Sequence, residues 1–361
     1  MIPHLYVHIP FCPKVCPYCS FYKETSDRNK TKAFLDAVLR EAERSAHLVR
    51  PRTIFFGGGT PTALSTSQLD YLISGLASRI DFSQVKEFTI EMNPATVSLE
   101  KAQVLLSLGV NRVSMGVQSW DPTLLEVLGR VHSAAQAQRS YEILREAGFT
   151  NVNLDHIFSV PGQTVRQWEE TLAKTISLAP NHVSAYCLTY EEDTEYFLKA
   201  TRGEFVPDPT RDADLFEMTM DVLLAAGYGQ YEISNYAQPG RECLHNLGYW
   251  EGSDFLGLGP SAVSTVGRER WKNLPDTEAY VRRIQDGFPG AATSEHLDDD
   301  ALRLEKLSLA LRTALGVDEK ILSGPHPDLL VSDGMARREG GRFILTRKGR
   351  MVADEIAEVL L

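Results

Sequence analysis

The chain has 361 residues, of which 43% are hydrophobic, 9% aromatic and 24% charged. At about 150 residues per domain, that length suits two domains or one large α/β barrel with an appendage, and the composition excludes disordered, collagen-like and fibrous chains. Lys and Arg total 37 against 48 Asp and Glu, a formal net charge of -11, so bulk electrostatics argue against nucleic acid and anionic lipid as partners.

No run of about 20 apolar residues is present to span a membrane. The opening segment carries prolines and histidines and lacks a basic stretch, which argues against a secretory signal and for a cytoplasmic chain. Five cysteines are an odd number, and Cys12, Cys16 and Cys19 fall within eight residues. In a cytoplasmic chain such clustering points to metal or redox chemistry rather than a disulfide frame.

In chain order, short β-branched or aromatic runs alternate with helical patterns. Strands are predicted at Leu5–Ile9, Thr53–Phe56, Glu87–Met92, Asn111–Val117, Asn151–Ile157 and Val183–Thr189, with a further one at Gly229–Ile233. Helical periodicity covers Thr31–His47, Thr66–Arg79, Leu99–Leu108, Ser133–Glu146, Thr164–Leu178 and Asp212–Ala226, several of them closed by a glycine. Strand–helix alternation repeated about six times predicts an α/β fold, a partial (β/α)6 barrel with its chemistry at the C-terminal strand ends. Beyond about residue 290 the pattern changes to helices at Asp298–Leu315 and Val317–Leu322, a Gly340-Gly341 hairpin between Met335–Arg338 and Arg342–Thr346, and a last helix to Leu361. This predicts a small winged-helix-like α+β domain. The expected division is a barrel over 1–235, a linking segment over 236–290 and the terminal domain over 291–361. Arg337, Arg338, Arg342, Arg347, Lys348 and Arg350 crowd the wing. Residues 290–361 nevertheless hold 10 Lys/Arg against 13 Asp/Glu, so a docking surface for the barrel or a partner is favoured over DNA binding.

Cys12-Pro-Lys-Val-Cys16-Pro-Tyr-Cys19 immediately follows the first strand. Three thiolates on one loop suit three irons of a [4Fe–4S] cluster, leaving the fourth iron open to a chelating ligand. A three-thiolate zinc site and a redox thiol pair are the competing readings. Gly57-Gly-Gly-Thr60 follows the second strand, where glycines let backbone approach a ligand. Polar residues then close successive strands: Glu91, Gln118 and Asp155, with Arg130 on the loop after the fourth. Each alone reads as a solvated or capping residue. Together they describe a ring of ligand contacts at a barrel mouth.

The C-x3-C-x2-C loop, the GGGTPT segment at 57–62 and this ring resemble the radical S-adenosylmethionine (SAM) superfamily, in its coproporphyrinogen-oxidase-like branch. The resemblance covers nearly the whole chain. It implies a radical-SAM TIM-like barrel, a [4Fe–4S] cluster on Cys12, Cys16 and Cys19, and SAM at the open iron. SAM contacts are implied for Tyr6, Tyr18, Gly58, Gly59, Thr60, Glu91, Gln118, Arg130, Asp155 and Thr189.

Within the branch, Tyr231-Glu-Ile-Ser-Asn-Tyr236 and His245-Asn-Leu-Gly-Tyr-Trp250 look like segments of its heme chaperones, the second matching an HNxxYW motif associated with heme. Histidine is a standard heme ligand, and Tyr249 and Trp250 offer flat faces for a porphyrin, whereas read from chemistry alone the same segment is a structural loop. The resemblance implies a heme chaperone, with His245 as heme ligand, that delivers heme to respiratory or other heme-requiring proteins. It also implies a homodimer and peripheral association with the inner membrane face, and it leans away from an enzyme. The alternative is a radical oxidoreductase acting on a porphyrinogen. Ser20-Phe21 after Cys19, where the dehydrogenases of the branch carry Gly-Cys, and the position of Cys12 so near the start disfavour it. Cys187 reads as a buried small hydrophobe and Cys243 as a second-choice thiolate ligand for heme. His4 and His8 read as structural histidines.

Overall fold

The computed structural model describes residues 1–25 and 28–360. Its core is one 12-stranded sheet. Strands β1 (Ile2–Ile9), β2 (Val49–Gly58), β3 (Glu87–Met92), β4 (Arg112–Gln118), β5 (Val152–Phe158) and β6 (His182–Cys187) lie side by side in that order and all run parallel. Helices α1 (Arg28–Ser45), α2 (Thr66–Ala77), α3 (Leu99–Ser107), α4 (Pro122–Val127), α5 (Ala134–Ala147) and α6 (Val165–Ser177) fill the crossovers between them, the (β/α)6 barrel expected from the sequence. The helix starts are chemically marked: Ser65, Ser133 and Thr164 each accept from the backbone three residues on and receive a reciprocal glutamine.

The alternation of side chains along each strand sorts the sheet into two faces. Leu5, Val7 and Ile9, with Ile54, Phe56, Phe88, Ile90, Val113, Met115 and Leu154, are buried in one apolar cluster with the helices. The other parity is polar and faces the lumen. Register pairs His4 with Thr53, Thr53 with Glu87, Ser114 with Asn153, and Asn153 with His182. A parallel sheet covered on both faces is ordinarily apolar on both. Here the inner face is reserved for hydrogen bonding.

Two expectations at the sheet edges are corrected. Gly229–Ile233 is not a seventh parallel strand: β7 (Gly229–Gln230) turns back through a tight bend into β8 (Asn235–Ala237), which pairs antiparallel with β6. The stretch 236–290, expected to link two domains, instead builds the other edge of the sheet. Beyond helices α7 (Glu195–Thr201), α8 (Pro209–Ala225) and α9 (Leu244–Trp250), β9 (Phe255–Leu258) pairs parallel with β1, and β10 (Val263–Val266), β11 (Glu269–Asn273) and β12 (Ala291–His296) continue antiparallel, with α10 (Thr277–Gln285) packed on α1. The buried Glu41 of α1 ties this edge down. It accepts from Gly259 N at 2.9 Å, Asn273 Nδ2 at 2.8 Å and the Tyr280 hydroxyl at 2.5 Å.

The C-terminal unit is winged-helix-like. Helix α11 (Asp299–Leu311), β13 (Val317–Asp318), α12 (His326–Ser332) and the hairpin β14 (Ala336–Glu339) to β15 (Arg342–Leu345) precede α13 (Arg347–Arg350) and α14 (Ala353–Leu360). The expected end of the last helix, Leu361, lies outside the described residues. Val317–Leu322, expected as helix, is a strand and a 3-10 turn. Gly316 has φ +62°, and Val317 pairs with Phe343 in the three-stranded sheet. The basic cluster of the wing serves packing. Arg347 reaches Asp221 and the Glu217 carbonyl on α8 (Pro209–Ala225), and Arg350 bonds Gln230 at 2.6 Å.

Candidate functional site

The cysteine loop crosses the C-terminal mouth of the barrel just beyond β1. Cys12, Cys16 and Cys19 are free and half-buried, and a turn bonds Cys19 N to Cys16 O at 3.2 Å. Two donors point at the sulfurs: Arg130 Nη1 lies 3.6 Å from Cys16 Sγ, and Thr60 Oγ1 lies 3.7 Å from Cys12 Sγ. Such donors stabilise thiolate and cluster-bound sulfur. Burial nevertheless outweighs them in the free thiols, pushing Cys12 up to about 11 and Cys19 in the same direction. Among the described residues no three His, Cys, Asp or Glu side chains converge on one ion position. Three thiolates on one loop, two of them met by hydrogen-bond donors, fit three irons of a cubane cluster.

The second strand delivers the glycine loop. Gly58 has φ +104°, and a Cβ there would stand 2.5 Å from the His8 ring, so only glycine lets the loop lie against β1. Gly59 N and Thr60 N donate to Ile9 O and Phe11 O, both at 2.8 Å, fixing the loop beside the cysteines. Gly58 N in turn donates to Glu91 Oε2 at 3.2 Å. Desolvation, with Asp155 nearby, pushes Glu91 up to about 8. A carboxylate in this position suits a cationic ligand group.

Asp155 is held more fully. Ser114 Oγ donates at 3.0 Å and Asn153 Nδ2 at 2.7 Å, and Ser184 and Arg112 add to the stabilisation, although burial still raises its pKa. Arg130 Nη2 anchors on Gly116 O at 2.7 Å, and its Nε is buried without a partner. Tyr18 stands against Arg130 beside Cys16. Gln118, at the irregular end of β4, takes φ +66°, a costly backbone for a non-glycine residue that tends to mark functional sites. Tyr6 lies on the lumen face below Glu91, its hydroxyl 3.1 Å from His8 Nδ1. His8 is structural as expected, donating from Nε2 to Tyr22 O at 2.8 Å.

The structure thus gathers Cys12, Cys16, Cys19, Tyr6, Tyr18, Gly58, Gly59, Thr60, Glu91, Gln118, Arg130 and Asp155 around one mouth. Thr189 stands apart, exposed on the rim with its hydroxyl donating to Glu191 at 2.8 Å. Cys187 is exposed rather than buried, because β6 ends there. His245 is also elsewhere, at the barrel floor. It is 1% exposed, with Nδ1 2.7 Å from Thr53 Oγ1 and Nε2 3.0 Å from the Tyr249 hydroxyl. Both ring nitrogens are engaged, so neither has a lone pair open to an iron. The expectation of a heme ligand at His245 does not fit this geometry. Cys243 is fully buried, with its Sγ 3.4 Å from Glu87 Oε1, and does not fit either.

Sequence reasoning missed the floor itself. Glu87 Oε2 accepts from Leu244 N at 2.9 Å and Oε1 from His245 N at 3.0 Å, capping α9 from a strand 156 residues or more away in sequence. Arg112 is fully buried beside Cys243, Glu87, Tyr231 and Asp155. The alternation Glu87, Thr89, Glu91 in an otherwise apolar strand was the available signal for a polar lumen.

Comparison with known proteins agrees with this geometry. The model of the radical SAM superfamily matches residues 6–175. The chain is 37% identical over 372 residues to the heme chaperone HemW of Escherichia coli, covering 99% of this chain and 97% of that one. It is 35% identical over 369 residues to HemW of Bacillus subtilis, covering 97% of each. Among solved structures, the coproporphyrinogen III oxidase HemN of Escherichia coli, a radical SAM enzyme, superposes with a TM-score of 0.84 at 26% identity over 99% of this chain and 90% of that chain. The chain belongs to the radical SAM superfamily, in its HemN-like branch and in the family of the HemW heme chaperones. Among the described residues no helix is long and apolar enough to cross a membrane.

Proposed function

We propose that this chain is a heme chaperone that holds a [4Fe–4S] cluster on Cys12, Cys16 and Cys19, binds SAM at the barrel mouth, and hands heme to heme-requiring proteins. The observation that carries the reading is the mouth itself: three cysteines with Arg130 and Thr60 as sulfur donors, facing Glu91 and Asp155, in a chain similar over its full length to named heme chaperones. Bound, the cluster would supply an open iron for the amino and carboxylate groups of SAM. Glu91 and Asp155 would face the cationic parts of that ligand, and Gly58 and Gly59 would let it approach the backbone. Gln118, Arg130, Tyr6, Tyr18 and the rim residue Thr189 complete the proposed contacts. Client proteins at the cytoplasmic membrane face and a homodimer remain part of the proposal through family resemblance.

Similarity to the HemN structure favours a second reading, oxidative decarboxylation of a porphyrinogen. The two separate in one assay. Reconstituted protein incubated anaerobically with SAM, a reductant and coproporphyrinogen III is expected to leave the four propionates intact. Conversion of two of them to vinyl groups at catalytic rates would establish the oxidase instead.

A further inference from the structure

We infer that the HNxxYW helix is the plug of the barrel floor, and that His245 and Tyr249 position the SAM chamber above it rather than ligate heme. The inference rests on the proposed SAM site and goes beyond it.

Three observations place α9 as a plug. The helix is only seven residues long, and its N-cap residue, Cys243, offers no side-chain cap. The cap comes from Glu87 on the lumen face of β3, through the two backbone N–H groups of Leu244 and His245. Gly248 is pressed against β1, since a Cβ there would stand 2.4 Å from the His4 ring. A side chain at 248 would drive the helix out of the barrel. His245 itself closes a chain across three elements. His4 Nδ1 lies 2.8 Å from Thr53 Oγ1, which lies 2.7 Å from His245 Nδ1, and His245 Nε2 lies 3.0 Å from Tyr249. A hydroxyl donates one hydrogen bond, so Thr53 donates to one histidine and accepts from the other. His4 Nδ1 and both ring nitrogens of His245 are committed to this chain, which holds the helix.

The same ring supports the mouth. His245 stacks on Phe55, with centroids 5.1 Å apart and planes inclined by 28°. Phe55 in turn packs 6.2 Å from Tyr6. A Cβ built on Gly57 would stand 3.0 Å from Phe55 Cε1 and 3.1 Å from the Glu91 carboxyl carbon, so Phe55 lies directly under the glycine loop and Glu91. The stack from His245 through Phe55 to the Gly57–Gly59 loop is continuous packing, and packed interiors transmit such displacements. Removing the imidazole lets Phe55 settle, and the loop and Glu91 lose their support.

The test uses full-length, anaerobically reconstituted protein as wild type, His245→Ala and Tyr249→Phe, each checked for cluster iron content. SAM binding is read from the change it causes in the EPR signal of the reduced cluster, and heme binding from Soret absorbance. SAM affinity is expected to fall about tenfold in His245→Ala, the scale seen when a residue supporting a ligand contact is removed, and less in Tyr249→Phe. Heme affinity is expected to match wild type in both. Heme binding lost with SAM affinity intact in either variant overturns the inference, and so does SAM affinity unchanged in both. If His245→Ala loses both ligands, Tyr249→Phe decides, because its ring still fills the floor. A wild-type protein that binds no heme refutes the chaperone reading, while the SAM measurements still judge the plug.

Discussion

Replacing Cys16 with alanine is expected to abolish the cluster. Cys16 is the central cysteine of the loop, its carbonyl accepts the turn bond from Cys19 N, and its sulfur receives Arg130 Nη1 at 3.6 Å. With three protein ligands and no fourth in the motif, losing one leaves two thiolates, too few to retain a cubane against exchange with free thiols. Iron and acid-labile sulfide after anaerobic reconstitution should fall from about four per chain to near background, and reductant-dependent SAM cleavage should vanish with them. Retention of the wild-type EPR signal in Cys16→Ala would remove the cluster assignment. Arg130→Ala gives a graded companion, because it removes a donor to sulfur while leaving all three ligands in place.

Replacing Glu87 with alanine is expected to destabilise the fold more than any surface substitution. Its carboxylate satisfies two backbone N–H groups of α9 and faces Arg112, a fully buried cation. Removing a partner from a buried charge cluster costs up to about 3–5 kcal/mol, and Asp155, which also faces Arg112, keeps the loss toward the lower end. The orphaned N–H groups add to that cost. Urea unfolding of the cofactor-free protein should show the loss, and Glu87→Gln, which keeps an acceptor, should be milder. A change below about 1 kcal/mol would mean that Arg112 is neutralised by other partners.

The barrel and the mouth were legible in the sequence because their signals are local. Apolar alternation marks Leu5, Val7 and Ile9 as one face of a strand, and the cysteine spacing and the Gly57–Gly59 run announce themselves without any tertiary context. The edge strands after residue 250 were not legible. Glu269–Asn273 is short and polar and Ala291–His296 is mostly exposed, so they lack the apolar alternation that marks a half-buried strand, and pairing with neighbours decides their conformation. The role of His245 was hidden for a different reason. A histidine beside Tyr249 and Trp250 has the composition of a heme site and of a buried hydrogen-bond network alike. Only the approach of Thr53, 192 residues distant in sequence, and of Gly248 to His4 distinguishes them. Glu87 looked like a strand terminus, and its partnership with α9 is purely tertiary.

Heme carriage by this chain is tested most directly by a heme titration of the full-length, anaerobically reconstituted protein followed by Soret absorbance. Saturable, stoichiometric binding is expected, with release of the heme to an added apo heme protein. Absence of saturable binding, or heme that no acceptor can withdraw, would contradict it.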